Sequence, residues 1–76
     1  MRRQSAMRGD FRYERKAGGW MVYRRGDGEP LGFALNQNKT HWPWYGKRAG
    51  AIVCPNFPTR EQVAYCLDQK RREEDA

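Results

Sequence analysis

Long apolar segments are missing from this 76-residue sequence. No apolar run approaches the roughly 18 residues of a membrane-spanning helix, and no apolar segment of the signal-peptide type follows the basic N-terminal residues. The hydrophobic fraction is 38%, whereas 32% of the residues are charged. We therefore expect a protein that does not contact a membrane, is not secreted and is located in the cytoplasm.

Histidine and cysteine are scarce: the sequence contains only His41, Cys54 and Cys66. Their number and spacing cannot close a tetrahedral zinc site, so we expect no bound metal. Cys54 ends an apolar run and Cys66 falls on the apolar side of a predicted helix. We expect both to be buried thiols that act as small apolar side chains, in a reducing compartment, with a disulfide as the open alternative.

Residue sets that support catalysis are also missing. No Ser/His/Asp or Cys/His arrangement stands out, and the glycines at 46–50 do not form a phosphate-binding GxxxxGK[ST] loop. The first four carboxylates fall in turns or among arginines. The chain is also too short to enclose a large cleft. These absences predict a protein that is not an enzyme and that needs no cofactor and no small-molecule substrate.

Positive charge is abundant and uneven. The net charge is +6, with 12 basic and 4 acidic residues in 1–60 but 3 basic and 5 acidic residues in 61–76. Eleven of the fifteen basic residues are arginines, which bind phosphate bidentately and stack on bases. This balance predicts a polyanionic partner: nucleic acid first, DNA before RNA, and an acidic protein surface second.

Aromatic and β-branched residues between glycine- and proline-rich breaks predict several short strands. The candidates are 11–15, 20–25, 31–35, 41–45 and 51–54, with Pro43 indicating an edge or bulged strand. Leu31, Phe33 and Leu35 alternate with small residues, so we expect all three on one face in the core. Residues 46–50 are predicted to form a turn.

The most regular pattern lies at the C-terminal side. Thr59 and Gln62 form a capping box, and Val63, Cys66 and Leu67 recur at helical spacing. We therefore predict an α+β domain over 10–72: a small antiparallel sheet of three to five strands with one C-terminal α-helix packed on one face. Residues 1–9 are predicted to be a basic flexible arm, and 73–76 a frayed acidic tail, because the helix dipole disfavours acidic residues at that end.

Arginines interleaved with aromatics are the most informative feature for function. In a strand over 20–25, Trp20, Val22 and Arg24 share one face, and Met21, Tyr23 and Arg25 share the other. One face packs on the helix, and the other is left for a partner, unless its aromatics only form stabilising cross-strand pairs. The predicted partner-binding residues are Arg2, Arg3, Arg8, Tyr23, Arg24, Arg25, Lys39, Trp42, Trp44, Lys47 and Arg48.

Four segments resemble the arm-type DNA-binding domain of phage and transposon tyrosine integrases. They are 19–24 (GWMVYR), 26–30 (GDGEP), the strand from Leu31, and 59–67 (TREQVAYCL). The resemblance implies a phage or mobile-element protein with a three-stranded antiparallel sheet that enters the DNA major groove and a helix behind it. The segment 36–55 departs from that pattern.

A second hypothesis is a phage-encoded inhibitor or regulator that binds a host protein, such as RNA polymerase or a defence nuclease, and blocks its function. The feature that favours it is the acidic segment 73–75 beside a basic body, because a dipolar surface suits protein docking.

Overall fold

A computed structural model describes residues 10–38 and 41–75. Its strands are β1 (Phe11–Lys16), β2 (Gly19–Arg24), β3 (Pro30–Asn36), β4 (Trp44–Arg48) and β5 (Ala51–Phe57), followed by the helix α1 (Arg60–Asp75). Each strand pairs antiparallel with the next, so the sheet order is β1-β2-β3-β4-β5. The predicted α+β fold is confirmed, with five strands. The proposed arm, residues 1–9, lies outside the described residues.

The helix covers one face of the sheet and forms the core with it. The helix contributes three fully buried residues: Val63, Ala64 and Leu67. They pack against the buried residues of the sheet, which are Phe11, Val22, Leu31, Ala34 and Cys54. The Thr59 hydroxyl accepts a hydrogen bond from the Gln62 amide at 3.2 Å, which is the hydroxyl half of the predicted capping box. No helix among the described residues has the length and apolar character needed to span a membrane.

Strand β4 lies where a turn was expected over 46–50. Gly46, Lys47 and Arg48 are strand residues, and only Ala49 and Gly50 form the turn, both with positive φ. The prediction was wrong because Gly46 has little strand propensity of its own. It is fixed by packing instead, since a Cβ at this position would lie 2.9 Å from Val63 Cγ1.

Strand β3 does not have the expected orientation. The pairing of β2 with β3 shifts register between Val22 and Tyr23, and this bulge changes which residues of β3 face the helix. Leu31 and Ala34 are buried in the core, whereas Phe33 and Leu35 are only half-buried. Placing all three large residues of this strand in the core was therefore wrong for Phe33 and Leu35.

The two cysteines are bonded to each other, so the expectation of free thiols was wrong. The disulfide joins Cys54 in β5 to Cys66 in α1, with their Cα atoms 6.1 Å apart. The physical reason is the docking of the helix, which places Cys66 over the last strand at a separation that a disulfide can bridge.

The helix continues through Asp75, where we expected a frayed tail. Glu74 accepts two hydrogen bonds from Arg48, at 2.8 and 2.6 Å, and Arg71 bonds Asp75 at 3.2 Å and Glu29 at 2.6 Å. These arginines offset the unfavourable interaction of acidic residues with the C-terminal end of the helix dipole.

Candidate nucleic-acid interface

The sheet face opposite α1 has no element packed on it among the described residues. Strand alternation and the register place seven side chains of the inner and last strands on this face: Met21, Tyr23, Phe33, Leu35, Tyr45, Lys47 and Ile52. Arg12, Glu14 and Lys16 of β1 complete it at one edge. We call these ten residues the open face.

Three rings follow one another diagonally across the open face, one on each of three adjacent strands. Phe33 is paired with Met21 on one side and Lys47 on the other, so Tyr23 and Tyr45 are its two diagonal neighbours. Diagonal neighbours in a sheet lie about 7–8 Å apart. All three rings are half-buried, so each keeps part of its surface in water. We call Tyr23, Phe33 and Tyr45 the ring diagonal.

The surroundings of Phe33 are apolar and concave. A groove of about 410 Å³ lies beside it, lined by Met21, Pro30, Lys47 and the Gly50 turn among others. Ile52 extends the apolar surface at the edge strand and is 63% exposed.

Cations surround the rings. Lys47 makes no ion pair within 10–38 and 41–75 and stands next to Phe33 in the register. At the other edge, Arg12 lies over the Tyr23 ring at 4.2 Å and bonds Glu14 at 2.5 Å. The bond from Arg12 lowers the pKa of Glu14, so this carboxylate stays ionised and neutralises part of the β1 edge. The Lys47 side is therefore the more electropositive part of the open face.

The predicted partner-binding residues do not lie together in the structure. Tyr23 and Lys47 lie on the open face. Arg24 and Arg48 point to the helix side, where Arg24 Nε donates to Asp68 at 2.5 Å and Arg48 donates to the Leu31 carbonyl at 2.7 Å as well as to Glu74. Trp44 is half-buried against the core.

The remaining candidates lie in loops or outside the described residues. Trp42, 55% exposed, precedes β4, and Arg25 follows β2, its backbone N–H donating to the Asp10 carbonyl at 2.8 Å. Four residues assigned to the interface cannot be placed because they lie outside 10–38 and 41–75: Arg2, Arg3, Arg8 and Lys39.

Two members of the ring diagonal, Phe33 and Tyr45, are not among the partner-binding residues predicted from the sequence. Phe33 was assigned to the core and Tyr45 was passed over. The available signal was Pro30 and Gly32 at the start of β3, since both residue types mark bulges, where the side-chain alternation of a strand changes phase. At Gly32 a Cβ would lie 2.5 Å from the Lys47 carbonyl oxygen, so only glycine fits there.

No cluster of three His, Cys, Asp or Glu side chains within the described ranges could hold a metal ion. A scan with protein-family models finds no match to this chain, and comparisons with curated proteins and with solved structures find none either.

Proposed function

We propose that this protein binds single-stranded nucleic acid on its open face and performs no catalysis. The observation that carries the proposal is the ring diagonal, three aromatic rings on adjacent strands of a sheet face that α1 leaves uncovered. Aromatic rings on an exposed sheet stack on unpaired bases, and each stacked base contributes about 1–3 kcal/mol.

A single strand fits this face better than a duplex. The centre of the open face is apolar, and Lys47 is the only cation that the inner strands place on this face among the residues described. A duplex hides the faces of its bases and presents two phosphate backbones, which a mainly apolar surface cannot neutralise. A single strand offers its bases to the rings and its phosphates to Lys47 first and then, at the β1 edge, to Lys16 and Arg12, which share the Glu14 carboxylate.

The long-range attraction comes from the net charge of +6. The rings contact bases rather than sugars, so DNA and RNA both fit, and the resemblance to integrase domains puts DNA first. The N-terminal arginines belong to the same proposal as an arm that contacts phosphates.

The test is the binding of a short fluorescein-labelled oligothymidine, followed by fluorescence anisotropy. Phe33→Leu and Tyr45→Leu keep an apolar side chain but remove the ring, so each should weaken binding about 5- to 150-fold, the equivalent of 1–3 kcal/mol. Ile52→Ala is the matched control, because it removes apolar surface from the same face without removing a ring. Wild-type binding that neither leucine variant weakens would contradict the proposal.

Two further arms define the ligand. A duplex of the same length should bind more weakly than the single strand, and an oligouridine tests the preference for DNA. A cytoplasmic location is part of the proposal, and there the Cys54–Cys66 bond meets a reducing thiol pool. Binding is therefore measured in the oxidised and in the reduced protein.

A protein partner is the second candidate, favoured by the apolar groove beside Phe33. The acidic helix end gives it less support than the sequence suggested, because Glu74 and Asp75 are paired with arginines. A pull-down from host lysate separates the two candidates. A protein that wild type retains after nuclease treatment and that Phe33→Ala loses, together with no affinity for oligonucleotides, would favour the inhibitor.

A further inference from the structure

A second cluster of arginines and aromatic rings lies on the helix side of the sheet, where the β1–β2 hairpin meets the start of α1. The Arg15 guanidinium carbon is 4.9 Å from the centroid of the Trp20 ring, and that of Arg60 is 4.9 Å from the same ring and 3.9 Å from the Tyr13 ring. We call Arg15, Trp20 and Arg60 the arginine corner.

The two guanidiniums of the corner have no carboxylate partner within 10–38 and 41–75. This sets them apart from five other arginines of the described chain, each of which forms an ion pair: Arg12, Arg24, Arg48, Arg71 and Arg72. Glu61, the neighbour of Arg60 in the sequence, pairs with neither. Stacking occupies the flat face of a guanidinium and leaves the N–H groups on its rim, so both arginines keep donors for an anion.

An open cleft lies beside the corner, and the Asn36 side chain that lines it is a further hydrogen-bond donor. A cleft of about 280 Å³ is lined by Arg15, Trp20, Asn36 and the glycines of the hairpin turn. Asn36 Oδ1 accepts the Asn38 amide at 2.7 Å, which leaves its side-chain NH₂ to donate. A Cβ at Gly18 would meet nothing within 4 Å, so the space next to this glycine of the turn is open. The first turn of α1, which contains Arg60, adds partial positive charge.

The corner is continuous with the open face around the end of the hairpin. Arg15 and Lys16 are adjacent in β1 and point to opposite faces. Gly18 and Gly19 place no side chain between them, and Leu35, the pairing partner of Tyr45, lies beside Gly19. A strand that leaves the Tyr45 end of the ring diagonal therefore meets Lys16 and then the corner.

We infer that the arginine corner is a phosphate-binding site that takes backbone phosphates of a nucleic acid beyond the bases held on the ring diagonal. The choice of nucleic acid as the source of the phosphate rests on the proposed function. The recognition chemistry is shared with free phosphate: guanidinium forks bond phosphoryl oxygens bidentately, and the rings hold the forks in place.

The first test is the salt dependence of oligothymidine binding. Each phosphate contact to a single strand contributes about 0.7 to the log–log salt slope, so Arg15→Ala/Arg60→Ala should reduce the slope by about 1.4. Lys70→Ala is the control: it removes one cation that forms no ion pair within 10–38 and 41–75, about 15 Å along the helix axis from Arg60, and should leave the slope unchanged. Arg15→Lys/Arg60→Lys keeps the charge and should restore the slope while lowering the affinity.

The second test uses NMR of the wild-type protein with two probes, and the second probe, inorganic phosphate, does not depend on nucleic-acid binding. Saturable shifts of the Arg15 and Arg60 Nε–H and the Trp20 indole N–H are expected with oligothymidine, and weaker ones with inorganic phosphate. Saturation at a lower concentration of the oligonucleotide than of inorganic phosphate identifies the backbone as the source, and equal saturation by inorganic phosphate would replace it with a free phosphate ligand.

The outcomes separate the two proposals. Oligonucleotide binding with an unchanged slope in the alanine pair overturns the corner and leaves the open face standing. If wild type binds no nucleic acid, the proposed function is wrong. Shifts at Arg15 and Arg60 with inorganic phosphate then retain a phosphate site, and no shift overturns it. Melting curves of each variant show whether loss of the Arg60–Tyr13 contact destabilises the fold. If the alanine variant is destabilised, the salt slope and affinity of Arg15→Lys/Arg60→Lys are the test instead.

Discussion

Gly46 lies directly against α1, and an alanine there tests how the core is packed. The glycine is buried, and its φ is not in the left-handed region, so alanine changes only the space that the residue needs. The added Cβ would lie 2.9 Å from Val63 Cγ1, 3.0 Å from Cys54 Cβ and 3.3 Å from Leu67 Cδ2.

These three separations are all shorter than the roughly 3.5–4.0 Å at which carbon atoms attract best. The helix must therefore shift outward, and overpacking of this kind costs about 1–3 kcal/mol. In a domain of this size each kcal/mol lowers Tm by about 4–8 °C, so a loss of about 2 kcal/mol lowers Tm by about 8–16 °C.

The assay is thermal and urea unfolding followed by circular dichroism. Gly28→Ala is the control, because a Cβ there meets nothing within 4 Å and its φ is ordinary. It should be neutral or slightly stabilising. Val63→Ala removes the nearest clashing atom, so Gly46→Ala/Val63→Ala should lose at least about 1 kcal/mol less than the sum of the single changes.

Two results would refute this reasoning. If Gly46→Ala has the same Tm as Gly28→Ala, the helix does not approach β4 as closely as described. If Gly46→Ala and Val63→Ala are strictly additive, their side chains do not compete for the same space.

Three further perturbations test other parts of the fold. Leu67→Ala empties a fully buried site and should lower the unfolding free energy by about 2–5 kcal/mol, and a melt equal to wild type would remove α1 from the core. Cys54→Ala/Cys66→Ala removes the disulfide, which closes a loop with a sequence separation of 12, and should lower the unfolding free energy by about 3 kcal/mol. The Tm of reduced wild type should match that of this variant. Arg48 holds the pKa of Glu74 below its ordinary value of 4.5, so the pair stabilises the fold above about pH 4.5 and less as pH falls through the lowered pKa. Urea titrations should accordingly show the stability difference between wild type and Arg48→Gln narrowing at acid pH to the part that the Leu31 carbonyl bond contributes, and a difference that does not change with pH would contradict the pairing.

Features encoded locally were predictable. The start of α1 follows from Thr59 and Gln62, and its buried side follows from the spacing of Val63 and Leu67, because capping and helical periodicity act within a few residues. The alternation of Trp20, Val22 and Arg24 against Met21 and Tyr23 is likewise local to β2, and the register agrees with it.

Features that depend on distant partners were not predictable. Arg24 was assigned to a ligand, yet it bonds Asp68, 44 residues away, and Arg48 bonds Glu74, 26 residues away. Within β3, Pro30 and Gly32 indicate a bulge but do not fix its position, which depends on the pairing with β2, so Phe33 was assigned to the core. In each case the deciding atom lies on another element that only the folded chain brings close.

The uninterrupted strand order also bears on how the chain emerges from the ribosome. Since each strand pairs with the one made just before it, the sheet can form hairpin by hairpin during synthesis, without waiting for a distant segment. The helix, residues 60–75, follows all five strands, so until it is made Val22, Leu31 and Cys54 face solvent on one side of the sheet and the ring diagonal does so on the other. A nascent chain halted before Arg60 would thus expose apolar side chains on both faces of the sheet, and exposed apolar surface of this kind promotes chaperone binding and aggregation.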